Sequence, residues 1–339
     1  MPDVPVKATL KSIAEASGVS TAAVSRILNN DPTFSAREKV RSRILEEAAR
    51  QSYKPNMTAR LLRKGRTGVI GVFTRAGAGM SAAESPYLSG IERRLAHSSQ
   101  QVFYQFVATE GTAKEEPLPF RFDAAILLQT VPEALGHQLR VMRIPFVCVN
   151  TLVDGSALGI LPDEPQGART ALDHLRSLGH RRIAYINAFA RHLGHFSVDA
   201  RHTTIVNHCL TMGLDLVAGH DTHPSSNDLA PVLDTLVRRE RATAVIAYNF
   251  MTAIQLMRGA YTAGIKVPDE LSVISFDDAY PLGSLYPAVT VVGVRGEEAG
   301  KQAAEAALQL ASGTPPPEEG TALLDYHLIR RESTAPPTG

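Results

Sequence analysis

Residues 8–30 read ATLKSIAEASGVSTAAVSRILNN, and the order of apolar, small and turn-forming residues in this stretch decides the N-terminal fold. Leu10, Ile13 and Ala14 fall on one face of a helix that Thr9 can cap. Gly18 interrupts the pattern with a residue free to adopt positive φ. Ser20 suits the cap of a second helix, Thr21 to about Leu28, with Val24, Ile27 and Leu28 on its inner face. Two short helices about a tight turn predict a helix-turn-helix. Ser35-Ala36-Arg37-Glu38 has the form of a capping box for a third helix, with Val40, Ile44, Leu45 and Ala48 inward. The outer face of the second helix then carries Thr21, Ala22, Ser25, Arg26 and Asn29, small or polar groups and one guanidinium suited to base edges in a major groove.

Charge is segregated along the chain. The 339 residues carry a net charge of +1, but residues 1–66 hold 13 Lys and Arg against 6 Asp and Glu, a net of +7, leaving −6 for the rest. A basic head on a mildly acidic body fits a head that meets a polyanion. From Tyr53 to Gly65 the sequence YKPNMTARLLRKG predicts a two-turn hinge helix, too short to be stable alone, with Leu61 and Leu62 among Arg60, Arg63 and Lys64. Such a helix can fold on DNA, wedging a leucine into the minor groove while its cations hold phosphates. The start of the chain has no secretory pattern, and nowhere do roughly 18 apolar residues run together, so a cytoplasmic protein is expected. Cys148 and Cys209 sit in separate apolar segments and read as buried thiols in a reducing compartment.

Beyond residue 67, short apolar runs alternate with amphipathic helices. Strands are predicted at 69–73, 102–107, 124–128, 146–149, 183–186, 244–247, 273–276 and 289–292. Helices are predicted at about 84–99, 132–141, 164–178, 199–212, 228–239, 251–263 and 296–311. This βαβ alternation implies parallel sheets covered by helices, with too many strands for one small sheet, hence two lobes. Ligands of such folds bind outside the carboxyl ends of the strands, where Arg75, Tyr87, Asn150, Arg201, Asn249 and Asp277 fall. Arg201 and Asp277 together could grip a polyhydroxylated ligand, or they could form an ordinary loop salt bridge.

The stretches ATLKSIAEASGVSTAAVSRILNN and YKPNMTARLL, with the closing Arg331-Glu332-Ser333-Thr334, resemble the lactose-repressor/galactose-repressor family of bacterial regulators. The resemblance implies a helix-turn-helix domain (1–55), a hinge (56–66) and a periplasmic-binding-protein-like effector domain (67–335). It also implies one lobe from 67–161 and 291–322, and another from 162–290 and 323–335. By the same resemblance Thr21, Ala22 and Arg26 match base-reading positions, and Ser20, Ser25, Asn29 and Tyr53 match backbone-touching ones. Leu62 matches the minor-groove wedge. Arg201, Asn249, Asp277 and Asn150 match effector-contacting positions. Departures occur at Ala23, where the family has Thr, at Phe250, which replaces part of an Asn-Asp pair, and at Thr204-Ile205, where the family has Gly followed by an aromatic. The last two fall beside the expected pocket. Sugars are the family's usual effectors, with nucleobases or nucleosides the alternative. A single head per chain implies a homodimer on a near-palindromic operator, since one helix reads only about 4–5 base pairs.

Two further stretches of the sequence bear on other chemistries. Gly77-Ala78-Gly79-Met80-Ser81-Ala82 after a strand, with Glu110 after the next, fits the G-x-G-x-x-A pattern of an NAD-binding enzyme, a weak signal alone. His192, His195, His202 and His208 are spaced by three, seven and six residues, which supplies no i, i+4 pair, so no metal site is expected and the histidines read as solvated or cleft-lining. No catalytic signature and no cofactor site follow from the sequence.

Overall fold

Helix α1 (Leu10–Ser17) begins where Thr9 accepts a hydrogen bond from the Ser12 amide at 3.1 Å, while the Ser12 hydroxyl accepts from the Thr9 amide at 3.1 Å. It ends at Gly18, whose φ of 62° lets its N–H turn back toward the carbonyls of Ala14 and Glu15. Ser20 then accepts from the Ala23 amide at 3.2 Å at the start of α2 (Thr21–Leu28). These details belong to a computed structural model that describes residues 9–28, 31, 33–53, 66–75, 85–107, 117–129, 131–187, 195–221, 228–316 and 320–338. The chain divides into two compact units, residues 1–67 and 68–339.

In the first unit, α1 and α2 pack with α3 (Glu38–Arg50) around Ile13, Ala14, Val24, Ile27, Ile44 and Ala48, with Leu10, Leu28, Phe34, Val40 and Tyr53 at the margin. Two expectations for α3 need correction. The Ser35–Glu38 capping box does not form; the N-cap is Arg37, with no side-chain cap bond. Leu45 is 47% exposed rather than inward, because it lies about 100° round the helix from Ile44, off the 40–44–48 stripe.

The second unit contains two six-stranded sheets. Sheet one comprises β1 (Val69–Arg75), β2 (Gln101–Val107), β3 (Ala124–Leu128), β4 (Phe146–Val149), β5 (Leu158–Pro162) and β11 (Gly320–Leu324), ordered β11-β5-β4-β3-β1-β2 and all parallel. Sheet two comprises β6 (Arg182–Asn187), β7 (Asp215–Asp221), β8 (Ala244–Ala247), β9 (Ser272–Phe276), β10 (Thr290–Val294) and β12 (Tyr326–Ile329), ordered β12-β10-β9-β8-β6-β7. Only the β10–β12 pairing is antiparallel. Strands β3, β4, β8 and β9 are apolar throughout or nearly so and buried along their whole length, as strands covered on both faces must be.

Helices α4 (Ser85–Ala96) and α5 (Glu133–Val141) belong to the first lobe, and α6 (Glu164–Ser177), α7 (Phe196–Met212), α8 (Ala230–Asp234), α9 (Phe250–Thr262) and α10 (Tyr280–Gly283) to the second. Helix α8 continues as a π-helical turn over Thr235–Arg239. Helix α11 (Gly296–Ser312) packs on α4 through a glycine pair. A Cβ on Gly300 would stand 2.0 Å from the Tyr87 carbonyl oxygen, and one on Gly90 would stand 2.0 Å from that of Glu297. This backbone-to-backbone contact fixes where α4 places Tyr87.

The transfers between lobes differ from the expected 161, 291 and 322. Strand β10 pairs with β9 and β12, so residues 291–294 belong to the second lobe and the chain crosses after Val294; the other crossings follow Pro162 and Leu324. Four strands had no counterpart in the expected set. β5 carries Gly159 and Pro162, β7 carries an aspartate at each end, and β11 and β12 form separate sheet edges. None presents the unbroken apolar run that marks an interior strand. Among the described residues no helix is long and apolar enough to cross a membrane.

Candidate functional site

On the head, Thr21, Ala22 and Arg26 stand exposed along one side of α2. Ser25 does not share that face. It is 3% exposed, beside the fully buried Val24, because the flank of α2 turns toward the three-helix core earlier than the apolar residues alone suggest. The Arg26 guanidinium lies 5.4 Å from the centre of the Phe34 ring, a cation–π contact that limits where the side chain can swing. Ser20 is committed to capping α2, and Tyr53 is half-buried against the core. Asn29, Leu62, the predicted hinge helix, the G-x-G-x-x-A stretch, Glu110 and His192 lie outside the described residues.

In the second unit the polar groups gather around Arg201, which α7 carries into the interior with only 4% exposed. Its guanidinium is bound chiefly by Glu164, the first residue of α6. Nε donates to Glu164 Oε2, and Nη2 donates to Oε1 at 3.1 Å. Nη2 also donates to the Tyr326 hydroxyl at 2.8 Å, and Nη1 donates to the Tyr248 carbonyl at 2.5 Å. Phe276 lies beneath the guanidinium at 4.2 Å and Tyr248 at 4.8 Å, measured to ring centroids. Asp277 follows β9 with φ 67° and stands 3.7 Å from Nη2, a charge contact beyond hydrogen-bond reach. The expected Arg201–Asp277 grip is thus corrected: Glu164 takes most of the donors that were to face a ligand.

Local packing explains this arrangement. Asp163 caps α6 by accepting from the Gln166 amide at 2.9 Å, which sets Glu164 in the first turn, where a carboxylate is favoured. Gly167 lets the Tyr326 ring lie against α6; a Cβ there would meet the ring at 2.5 Å. Gln166 holds the Tyr326 backbone, its Oε1 accepting from the amide at 2.7 Å. Burial works to lower the Arg201 pKa, but Glu164, Tyr326, Asp277 and Tyr248 outweigh it and hold it well above its ordinary value. Burial pushes the Asp277 carboxyl up, against the pull of Arg201, with Glu164 adding to the rise and His195 opposing it. Tyr87, delivered by α4 from the first lobe, is buried, and its hydroxyl is raised by that burial and by Asp277 and Glu164. Tyr87 packs in the first lobe's core with Leu88, Ile91 and Ala299.

A hydrogen-bonded chain also joins the lobes. His195 Nε2–H donates to the Asn150 carbonyl at 2.8 Å, so Nδ1 in the neutral ring accepts, here from Ser197 Oγ at 2.7 Å. Ser197 Oγ is in turn 2.6 Å from the Tyr248 hydroxyl. Asn150 has φ 52°, and its buried side-chain Oδ1 has no hydrogen-bond partner. Asn249 is turned to another task than expected: its Oδ1 caps α9, accepting from the Thr252 amide at 2.9 Å and hydroxyl at 3.0 Å. Arg75 ends β1. Among the described residues no group of three metal-ligating side chains assembles. Sequence reading missed Glu164, Tyr248 and Tyr326. The available signal was Asp163-Glu164-Pro165 after an apolar run, since a buried arginine requires a buried carboxylate and a helix start is a good place for one.

A helix-turn-helix with an exposed polar reading face, in one chain with a two-sheet α/β domain of periplasmic-binding-protein-like type, defines a DNA-binding transcriptional regulator. Residues 9–56 match the model of bacterial regulatory proteins of the lacI family, and residues 172–334 match the periplasmic binding protein-like domain. The regulator GalR of Escherichia coli (strain K12) is 29% identical over 348 residues, covering 98% of this chain and 97% of that protein. The lactose operon repressor of the same strain is 24% identical over 337 residues, covering 97% and 91%. The Lac repressor dimer bound to operator and the anti-inducer ONPF superposes with a TM-score of 0.80 at 22% identity, over 97% of this chain and 100% of that one. The CelR–cellobiose complex superposes with a TM-score of 0.65 at 21% identity, over 96% and 99%. The chain carries a lacI-family helix-turn-helix domain and a periplasmic-binding-protein-like domain, the make-up of the lacI family of DNA-binding transcriptional regulators.

Proposed function

We propose that this protein is a repressor that binds a near-palindromic operator as a homodimer and is controlled by a small sugar-like effector held between the two lobes. The observation that carries the effector reading is the charged cluster of Glu164, Arg201 and Asp277, the last at the carboxyl end of β9, with His195 bonded across to the Asn150 carbonyl of the other lobe. An effector acts by binding one lobe arrangement better than another. A coupling of about 1–3 kcal/mol would change operator affinity about 5- to 150-fold. Arg26, Thr21 and Ala22 read bases, the alanine methyl suiting a thymine methyl.

The DNA arm is tested by selecting the preferred site from random duplexes and comparing Arg26→Ala with wild type on that site and on random DNA. The variant loses about 1–3 kcal/mol on the selected site and much less on random sequence. Equal losses on both would make Arg26 a phosphate contact. The effector arm is tested by the response of operator affinity to a panel of sugars in wild type, Asp277→Asn and Tyr87→Phe. An unaltered response in both variants would remove the effector from this cleft.

A further inference from the structure

The interlobe cluster carries an unbalanced charge, and that imbalance points to a kind of ligand. Glu164 and Arg201 neutralise one another through two hydrogen bonds, and two further guanidinium N–H groups go to the Tyr326 hydroxyl and the Tyr248 carbonyl, four of the five in all. Asp277 is left as a second carboxylate, 3.7 Å from a guanidinium already engaged, with 29% of its side chain open. Among the described side chains the site therefore holds two carboxylates and one guanidinium, with Tyr248 and Tyr326 against the guanidinium and His195 bridging to the Asn150 carbonyl.

A second, independent observation concerns the opposite lobe. Thr74, 4% exposed near the end of β1, and Asn150, just beyond β4, each carry a buried side-chain oxygen without a hydrogen-bond partner. The register aligns them: Thr74 pairs with Leu128, and Leu128 pairs with Val149, so both residues stand toward the same carboxyl end of sheet one. Buried acceptors without donors are costly and are ordinarily satisfied by water or ligand. The described side of the cleft thus offers an open carboxylate and unpartnered oxygens, while four of the five N–H groups of its guanidinium are already engaged.

We propose that the cleft takes a polyhydroxylated ligand bearing a primary ammonium group, of the amino-sugar class, with the ammonium on Asp277 and hydroxyls donating to the Asn150 and Thr74 oxygens. This rests on the interlobe reading of the effector site and narrows it. An anionic ligand, such as a sugar phosphate or sugar acid, would face Asp277, and among the described side chains it would find only the one remaining Nη1 N–H of Arg201 to meet it. A neutral sugar could donate hydroxyls but would leave the negative charge unbalanced.

The test is calorimetric titration of the full chain with glucosamine and galactosamine against glucose and galactose, and with glucose 6-phosphate as the anionic probe. The amino sugars are expected to bind about 10- to 100-fold tighter than their parents, equivalent to about 1.4–2.8 kcal/mol, and the phosphate more weakly than either. Asp277→Asn should bring the amino sugars down to the affinity of the parents. Parents or phosphate binding as tightly as the amino sugars, or amino sugars that do not bind, would overturn the proposal. If a neutral sugar binds and Asp277→Asn weakens it, the cation class falls while the cleft stands as the effector site. If the amino sugars bind Asp277→Asn and Tyr87→Phe as they bind wild type, the ligand sits elsewhere and both readings fall.

Discussion

Replacing Glu164 by glutamine keeps the shape of the buried site and removes one charge. Arg201 and Glu164 have side chains only 5% and 2% exposed, so the guanidinium left behind could not be rehydrated without opening the second lobe. Breaking one half of a buried, hydrogen-bonded pair costs about 3–5 kcal/mol. Asp277, 3.7 Å from Nη2, still offers partial compensation, and the glutamine oxygen can accept one of the two former bonds. A loss near the lower end, about 3 kcal/mol, is therefore expected. It is read from urea unfolding of the full chain followed by far-ultraviolet circular dichroism, as a shift of the midpoint at constant slope. The double variant Glu164→Gln with Arg201→Met should recover a large part of the loss, because an apolar side chain among Tyr248, Phe276 and Tyr326 needs no counter-ion. A single-variant loss below about 1 kcal/mol, the size of a surface ion pair, would refute the view that this pair holds the lobe together.

Gly300→Ala would drive a methyl to 2.0 Å from the Tyr87 carbonyl; about 1–3 kcal/mol is expected to be lost as α4 and α11 separate, and unfolding at wild-type stability would show that the helices pack less closely. Thr9→Ala removes the cap of α1 and should cost the head about 1 kcal/mol, seen as faster limited proteolysis within residues 1–67 with no change in the body. Burial lowers the pKa of both His174 and His180, helped at His174 by Arg330 and opposed at His180 by the Ala335 carbonyl. The unfolded chain then binds the protons first, so stability should be complete above the ordinary value of about 6.5 and decline below it, by up to about 1.4 kcal/mol per pH unit for each group. Urea midpoints that do not fall between neutral and mildly acidic pH, or that fall equally in His180→Gln, would contradict this.

The head was largely legible because every determinant is local: Thr9, Gly18 and Ser20 mark helix ends within a few residues of where they act. The interior strands were legible for a similar reason, since burial on both faces writes an unbroken apolar run such as Ala124–Leu128. Ser25, Leu45 and Arg37 were misjudged because the width of a buried helix face and the choice of cap depend on neighbours far along the chain. Edge strands such as β7 and β11 escaped because one side meets solvent and their composition approaches that of loops. In the cleft the sequence picked out Arg201 and Asp277 by resemblance, yet only the fold brings Glu164 and Tyr326 to Arg201, from 37 and 125 residues away. Asn249 shows the converse: a polar residue at a strand end is also the best available helix cap.

Both sheets take a strand from residues 320–329, and the segment beyond stitches the second sheet: Ser333 is fully buried, its Oγ donating to the Val273 carbonyl and accepting from the Thr290 amide at 2.8 Å. During synthesis, a nascent chain that has emerged through Thr314 can form neither complete lobe, and Arg201 still lacks the hydroxyl of Tyr326. The head, by contrast, is a self-contained unit made first. The order of translation therefore produces a DNA-reading module well before a finished sensor, and a ribosome that stalls in the last segment leaves a folded head attached to a body with two open sheet edges.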